Sequence, residues 1–254
     1  MLRPAYAVLN ALSIFVSFAA WAEDIVSTAR VYDSEPSVST GGSGDRLLFI
    51  ETRRETRTEK VSGTAPKESR FVTIETKDPN GNVALIETIE YRGARLVSYK
   101  VDRRQIDARG EIRVEKGNVK YEYKKRDGVE RDDETFSPVS VVSDQIDERI
   151  RENWSKLLKP KGSISLDLML VNQQKSVGFT IQRTGETRFQ KKDAIVFKIA
   201  PSSPFIALAI PSGEIVMEKA KPHRRLQYIG RKFLKIKRSG SWEDLDAKVV
   251  YDLP

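Results

Sequence analysis

The chain of 254 residues contains no cysteine and a single histidine, His223. Without cysteine it can form no disulfide and carry no lipid-modified N-terminal cysteine, so core packing must stabilise its fold. One histidine cannot supply the ligands of a zinc site, and Cys–His catalysis is excluded. No serine lies in a G-x-S-x-G motif, and "GGSGD" lacks the spacing of a phosphate-binding loop. We therefore predict no metal site, no cofactor, no catalytic residue and no enzymatic activity.

The N-terminus is apolar but too short to cross a bilayer, which takes roughly 20 apolar residues. It has one cation, Arg3, an apolar segment from about Ala11 to Ala20, and the sequence "AWA" ending at Ala22. These features are the parts of a secretory signal peptide. We predict that residues 1–22 are removed by cleavage after Ala22, and that the mature chain lies in the periplasm without a transmembrane segment. A membrane anchor is the alternative.

The rest of the chain divides by composition. Residues 23–45 are poor in apolar side chains and end in "STGGSGD", so they are predicted to form a flexible leader. Residues 46–254 carry the patterns of strands and are predicted to form a single antiparallel β domain.

Turn signals divide this domain into strands. They include "DPNG" at 78–81, "KGN" at 116–118 and "DG" at 127–128. Apolar and charged residues alternate between them, as in "EIRVE", which is typical of a strand with one buried face. No segment resembles a βαβ crossover. We predict a mostly β fold, an antiparallel meander forming a half-barrel or sandwich, with mixed-charge runs such as "ETRRETRTEK" on solvated faces.

One segment has the period of a helix rather than of a strand. Residues 143–159 bring apolar side chains to one side at helical spacing; these are Ile146, Ile150, Trp154, Leu157 and Leu158. Ser143 or Asp144 can cap the N-terminus, and Pro160 ends the helix. We predict one amphipathic helix of about four turns that packs against the sheet and closes its concave side.

The segment "SSPFIALAIPSG" at 202–213 is apolar and bracketed by prolines. Proline removes a backbone donor, so "PSSP" cannot lie in the middle of a paired strand. Phe205, Ile206 and Leu208 then belong either to a short buried strand or to an apolar lip over a cavity. In the second interpretation they contact the apolar part of a ligand together with Trp154.

The net charge of +8 needs an explanation in an exported protein. Nucleic acid is not an expected partner in the periplasm, whereas anionic phospholipid or lipopolysaccharide headgroups are. Cations are dense between Arg224 and Arg238, and we assign Arg224, Arg225 and Arg231 to an anionic headgroup. The alternative is an ordinary solvated face.

The order of the segments also suggests a family. The meander, the helix "IRENWSKLLKPKG", the strands "SISLDLMLV" and "VGFTIQR", and "HRRLQYIGRKFLK" together resemble an uncharacterised family of exported proteobacterial domains. That family is similar in layout to the periplasmic lipoprotein carriers and their outer-membrane acceptors. The resemblance implies a half-open antiparallel barrel around a helix, with an apolar concavity for acyl chains, and it transfers no functional residue.

Two functions follow from these observations. The first is non-catalytic binding of a lipid-like or acyl-containing amphiphile in envelope assembly or transport. The second is a structural or adaptor module that binds another cell-envelope protein through a sheet edge or the apolar segment. A carrier requires an enclosed apolar cavity, whereas an adaptor can have a filled core. An enzymatic function would require several acidic residues to converge in a polar cleft.

Overall fold

The structure is a computed structural model that describes residues 22–34, 46–60 and 67–252. Most of the predicted signal peptide and the "STGGSGD" end of the predicted leader lie outside the described residues. None of the helices in these three ranges has the length and apolar character that crossing a membrane requires.

Strands make up most of the described chain. Their bounds are β1 Ala22–Asp33, β2 Leu47–Lys60, β3 Lys67–Lys77, β4 Val83–Arg92, β5 Arg95–Arg103, β6 Ala108–Glu115, β7 Asn118–Lys125, β8 Gly128–Thr135, β9 Ser140–Val141, β10 Ser163–Leu170, β11 Lys175–Phe189, β12 Lys192–Pro201, β13 Gly213–Glu218, β14 Arg225–Arg238 and β15 Ser241–Tyr251. The helices are α1 Ile146–Glu152, α2 Trp154–Leu157 and α3 Pro204–Ala207, with 3-10 turns at Arg104–Ile106 and Ser143–Gln145.

The fifteen strands of the described ranges form one open sheet. Its first and last strands in chain order, β1 and β15, pair with each other in the middle of the sheet. The order is β8-β7-β6-β5-β4-β3-β2-β1-β15-β14-β13-β12-β11-β10-β9. Neighbours are antiparallel, except that β9 pairs with β10 in parallel. The chain passes from one edge strand, β8, to the other, β9, through residues 136–139, and Glu134 accepts hydrogen bonds from Ser176 of β11. The predicted mostly β antiparallel fold is confirmed.

β1 lies where the sequence indicated a flexible leader. Residues 22–33 pair with β2 on one side, and their C-terminal half pairs with β15 on the other. Ala29 and Val31 are buried at alternate positions. Two apolar side chains are a weak sequence signal, and the strand is held mainly by backbone hydrogen bonds to neighbours distant in sequence.

The turns form where the sequence placed them. Asp78 accepts backbone hydrogen bonds from Asn80 and Asn82, both at 2.9 Å, and Gly81 adopts a positive φ of 88° between β3 and β4. An aspartate that binds the backbone ahead of it is a common way to fix a tight turn. Gly117 plays the corresponding part between β6 and β7, with φ of 87°.

Two large clusters of buried apolar side chains fill the concave side. The first is formed mainly by β1–β7 with β14 and β15, and the second by β10–β13 with the helices. Tyr228 of β14 packs against both clusters. The helical segment belongs to the second cluster through Ile146, Ile150 and Leu157, as its period predicted.

The helix is not continuous. A 3-10 turn at Ser143–Gln145 leads into α1, and α2 follows after Asn153, whose side-chain amide donates to the Arg149 carbonyl at 2.9 Å. Neither Ser143 nor Asp144 caps it, because the Gln145 side chain accepts the Val142 backbone N–H at 3.1 Å instead.

The apolar segment 202–213 forms no strand. Pro204 begins α3, where a proline fits because a first-turn N–H has no partner to lose. Phe205 and Leu208 are 85% and 88% exposed, while Ile206 and Ile210 pack against the second cluster. The buried-strand interpretation is therefore wrong, and the segment is a surface loop over the concave side.

Candidate binding cavity

A cavity of about 360 Å³ lies between the two apolar clusters. This volume falls within the range of small-molecule sites, roughly 300–1,000 Å³. Its walls come from β4 and β5, from the end of β10 and the loop that follows, from β11–β13, from the loop after α3 and from β14. The cavity is therefore assembled from segments more than 100 residues apart in the chain.

One wall of the cavity is apolar. It is lined by Leu168, Leu170, Phe179, Ile199, Ile210 and Ile215. Leu168 and Leu170 share one face of β10 at the strand's period of two, while Met169 between them packs into the first cluster. This wall offers contact to a hydrocarbon part of a ligand.

The other part of the lining, the charged wall, is mainly basic. Its lining includes the cations Arg103, Arg225, Arg231, Lys232 and Lys235 and the carboxylates of Glu87 and Asp244. Charges removed from water are normally paired or strongly hydrogen-bonded. The partners of each charge decide which of them remain available to a ligand.

Arg225 joins β14 to α1. Its guanidinium contacts Asp147 Oδ1 at 2.5 and 2.7 Å and donates to the Tyr251 hydroxyl at 3.0 Å. Burial opposes the charge on Arg225, but Asp147 outweighs this and the pKa of the guanidinium rises above its usual range. Arg225 is thus neutralised and holds the helix in place.

Lys232 joins β14 to β2 in a similar way. Its ammonium lies 2.7 Å from Glu51, and although burial disfavours the charge, Glu51 raises the pKa of Lys232 above its usual value. Glu87 on β4 accepts a hydrogen bond of 2.5 Å from Tyr99. Burial raises the pKa of Glu87, so its surroundings favour the protonated acid.

Arg231 and Lys235 share acids on β15. Arg231 contacts Asp246 at 2.6 Å and Asp244 at 3.1 Å, and Lys235 contacts Asp244 at 2.5 Å. These groups are more exposed than Arg225 and Lys232, and they lie at the solvated side of the charged wall. Both cations are neutralised.

Arg103 at the end of β5 differs from the other four cations. It is only 7% exposed, donates to the Tyr123 hydroxyl at 3.1 Å and lies over the Phe233 ring at 4.1 Å. In the described part of the chain no carboxylate lies within ion-pair distance of it. It is a buried cation held by a phenol and a ring face.

A second charged cluster lies outside the cavity, on the inner face of β2–β4. Arg53 contacts Glu55 at 2.7 Å and Asp144 at 3.1 Å, and Asp144 also accepts the Tyr91 hydroxyl at 3.0 Å. Burial opposes the charge of Arg53, yet Asp144 holds its pKa above the usual range. The run "ETRRETRTEK" was expected on a solvated face. It instead buries Glu51 and Glu55, because the ionic partners of Glu55 come from β2 and β3 and that of Glu51 comes from β14.

The predicted ligand residues fall at different places. Trp154 packs edge-on to Phe197 at 5.4 Å and stacks on His223 at 3.8 Å, and does not line the cavity. His223 is therefore half-buried against the Trp154 ring.

Only some residues of the apolar loop and of the basic segment line the cavity. Phe205, Ile206 and Leu208 do not line the cavity, whereas residues 209–211, which follow them, do. Arg225 and Arg231 line the cavity and Arg224 does not.

Sequence reasoning missed Arg103, Glu87 and Lys232. A signal existed for the first: Tyr99, Val101 and Arg103 share one face of β5 by alternation, and the first two face the core. A charged residue at an inward position of a strand is a candidate for a functional or paired group.

No protein-family model matches the sequence, and no curated protein matches it. Some solved structures are similar to it, including the following two. One is a domain described as an outer membrane lipoprotein-sorting protein from Vibrio parahaemolyticus, with 8% identity, a TM-score of 0.26 and coverage of 90% of this chain and 83% of that chain. The other is a porin-like protein from Bacteroides uniformis, with 9% identity, a TM-score of 0.23 and coverage of 89% and 96%. At these TM-scores neither likeness carries an argument about function.

Proposed function

We propose that this protein is a non-catalytic periplasmic binding protein for a lipid-like amphiphile, active in envelope assembly or transport. The observation that carries the proposal is the cavity of about 360 Å³ with one apolar and one basic wall. An amphiphile with an apolar chain and a polar head presents both kinds of surface at once. Pockets that are mostly apolar with a few placed polar groups are the usual form of small-molecule sites.

The cavity also supports a carrier over an adaptor. An adaptor that binds through its surface gains nothing from empty space in its core, since unfilled volume costs contacts and stability. A carrier requires that space. The presence of the cavity therefore favours the carrier, and the loop over the concave side offers a route by which a ligand enters.

Fluorescence titration with 11-(dansylamino)undecanoic acid tests this proposal. We expect saturable binding to the purified protein, weakened about tenfold or more by Ile210→Asp, because a carboxylate in the apolar wall is costly to bury. Leu208→Asp is the matched control, since Leu208 lies two residues away but is exposed and outside the cavity. Leu168→Asp repeats the test from a different element of the same wall, strand β10.

The proposal fails if the parent protein does not bind the probe, or if Leu208→Asp weakens binding as much as Ile210→Asp in folded proteins. The location is tested separately. Expressed with its own N-terminus in a Gram-negative host, the protein should appear in the periplasmic fraction with a mass that corresponds to cleavage after Ala22. An uncleaved mass in the membrane fraction would favour the anchor instead.

A further inference from the structure

One cation of the basic wall makes no ion pair with a residue that the structure describes. Arg225, Arg231, Lys232 and Lys235 each have a carboxylate oxygen within 2.7 Å. Arg103 makes no ion pair in the described ranges, although it is as buried as any of them. Leaving a buried charge without a counter-charge is expensive, so such a group usually has a partner that is not always present.

The surroundings of Arg103 fix its position without neutralising it. The Phe233 ring supports one face of the guanidinium at 4.1 Å, and the Tyr123 hydroxyl accepts one hydrogen bond at 3.1 Å. A guanidinium has five N–H donors in a planar fork. The other donors make no hydrogen bond within the described part of the chain, and the side chain lines the cavity.

Nearby acids do not take up these donors. Asp244 also lines the cavity, but its two oxygens are held by Lys235 at 2.5 Å and Arg231 at 3.1 Å. Glu87 is held by Tyr99. The positions beside Arg103 that an acid of this chain would fill are thus left to an anion from outside.

We infer that Arg103 binds the anionic group, a carboxylate or phosphate, of the amphiphile whose apolar part lies along Leu168 and Leu170. This inference rests on the proposed function. It adds that the ligand carries a negative charge and that Arg103 binds the charged group. Arginine suits both anions because its fork matches two oxygens at once. The anion anchor is therefore Arg103 and not Arg225 or Arg231, whose charges are already used within the fold.

Calorimetric titration of the parent protein and the Arg103→Gln variant with decanoate, decyl phosphate and decanol tests the inference. The three ligands share a chain and differ in the head. We expect Arg103→Gln to weaken both anions by about 10- to 100-fold, the usual worth of hydrogen bonds to a charged group, and to leave decanol unchanged. Arg103→Lys should retain part of the affinity for the anions.

Arg104→Gln is the matched control. Arg104 is the next residue, is exposed, pairs with Asp102 at 3.4 Å and does not line the cavity. It should leave all three affinities as they are. Because Arg103 makes no ion pair among the described residues, and nearby Asp244 keeps Lys235 and Arg231 as partners, its neutral variant is expected to fold, and circular dichroism checks this.

The outcomes separate the two proposals. If the parent protein binds none of the three ligands, the proposed function fails. If it binds decanol and decanoate alike and Arg103→Gln changes neither, only the anion anchor fails. An equal loss for decanol would show that Arg103 serves packing, which also overturns the inference. Acetate or inorganic phosphate binding as tightly as the decyl ligands would indicate a free-anion site and overturn the assignment to an amphiphile.

Discussion

The ion pair between Arg225 and Asp147 gives the sharpest test of how the helix is held across the sheet. Arg225→Gln removes the cation and leaves the Asp147 carboxylate without its partner at 2.5 Å. Removing one member of a buried ion pair costs about 3–5 kcal/mol, mostly through the charge that stays behind. The Asp147 side chain is 21% exposed, so water recovers part of that cost. We expect a loss of about 2–4 kcal/mol in the free energy of unfolding.

Thermal and urea unfolding followed by circular dichroism measure this loss. For a chain of this size each kcal/mol shifts Tm by about 2–4 °C, so Tm should fall by roughly 5–15 °C. The double variant Arg225→Gln/Asp147→Asn should recover part of the loss, because it leaves no stranded charge. Arg231→Gln is the control: its partners Asp244 and Asp246 are 47% and 33% exposed, and exposed pairs contribute below about 1 kcal/mol.

Two results would refute this reasoning. If Arg225→Gln costs no more than Arg231→Gln, the pair does not hold the helix. If the single effects of Arg225→Gln and Asp147→Asn simply add in the double variant, the two groups are not coupled and the stranded charge is not the cause.

Two further predictions concern the inside of the half-barrel. Burial raises the pKa of Glu87 above its ordinary value of 4.5, so its stabilising contribution is full below that value and is lost as the pH rises through the folded pKa. Glu87→Gln should therefore gain stability relative to the parent as the pH rises above 4.5 in urea unfolding, and a pH-independent difference would contradict this. Gly110→Ala should cost about 1–3 kcal/mol in the same assay, because a Cβ would lie 2.5 Å from Val171 Cγ2. Gly185→Ala, where nothing lies within 4 Å, should cost less; equal losses would refute the steric cause.

Local patterns predicted the repeating parts of the fold well. Alternation gave the strands, and turn residues such as Asp78 and Gly81 gave their ends. Helical period gave the buried positions Ile146, Ile150 and Leu157. These features depend on neighbours in sequence, so a single chain carries the information. The pairing of β1 with β15 does not depend on neighbours in sequence, because more than 200 residues separate the residues in contact.

The charged wall was harder to predict than the apolar wall for a related reason. An acid or cation in a strand is assigned to the solvated face unless its partner is known. Glu51 is buried because Lys232 reaches it from β14, 181 residues later in the chain. Such a pair is visible only once the sheet has brought β2 and β14 to the same concave side.

The strand β14 shows where alternation itself stops working. Strict period two would place Arg225 and Arg231 on one face of β14 and Tyr228 on the other, yet all three line the cavity. The register of β14 against β13 shifts between Arg225 and Gln227, and its register against β15 shifts between Arg231 and Lys235. A bulge of this kind lets successive residues face the same side. Lys232 therefore reaches Glu51, and Phe233 reaches the guanidinium of Arg103, from adjacent positions on one strand. The irregularity in β14 thus lets Lys232, which pairs with Glu51, and Phe233, which supports Arg103, act on the same side of the sheet. A regular strand would place these two adjacent residues on opposite faces.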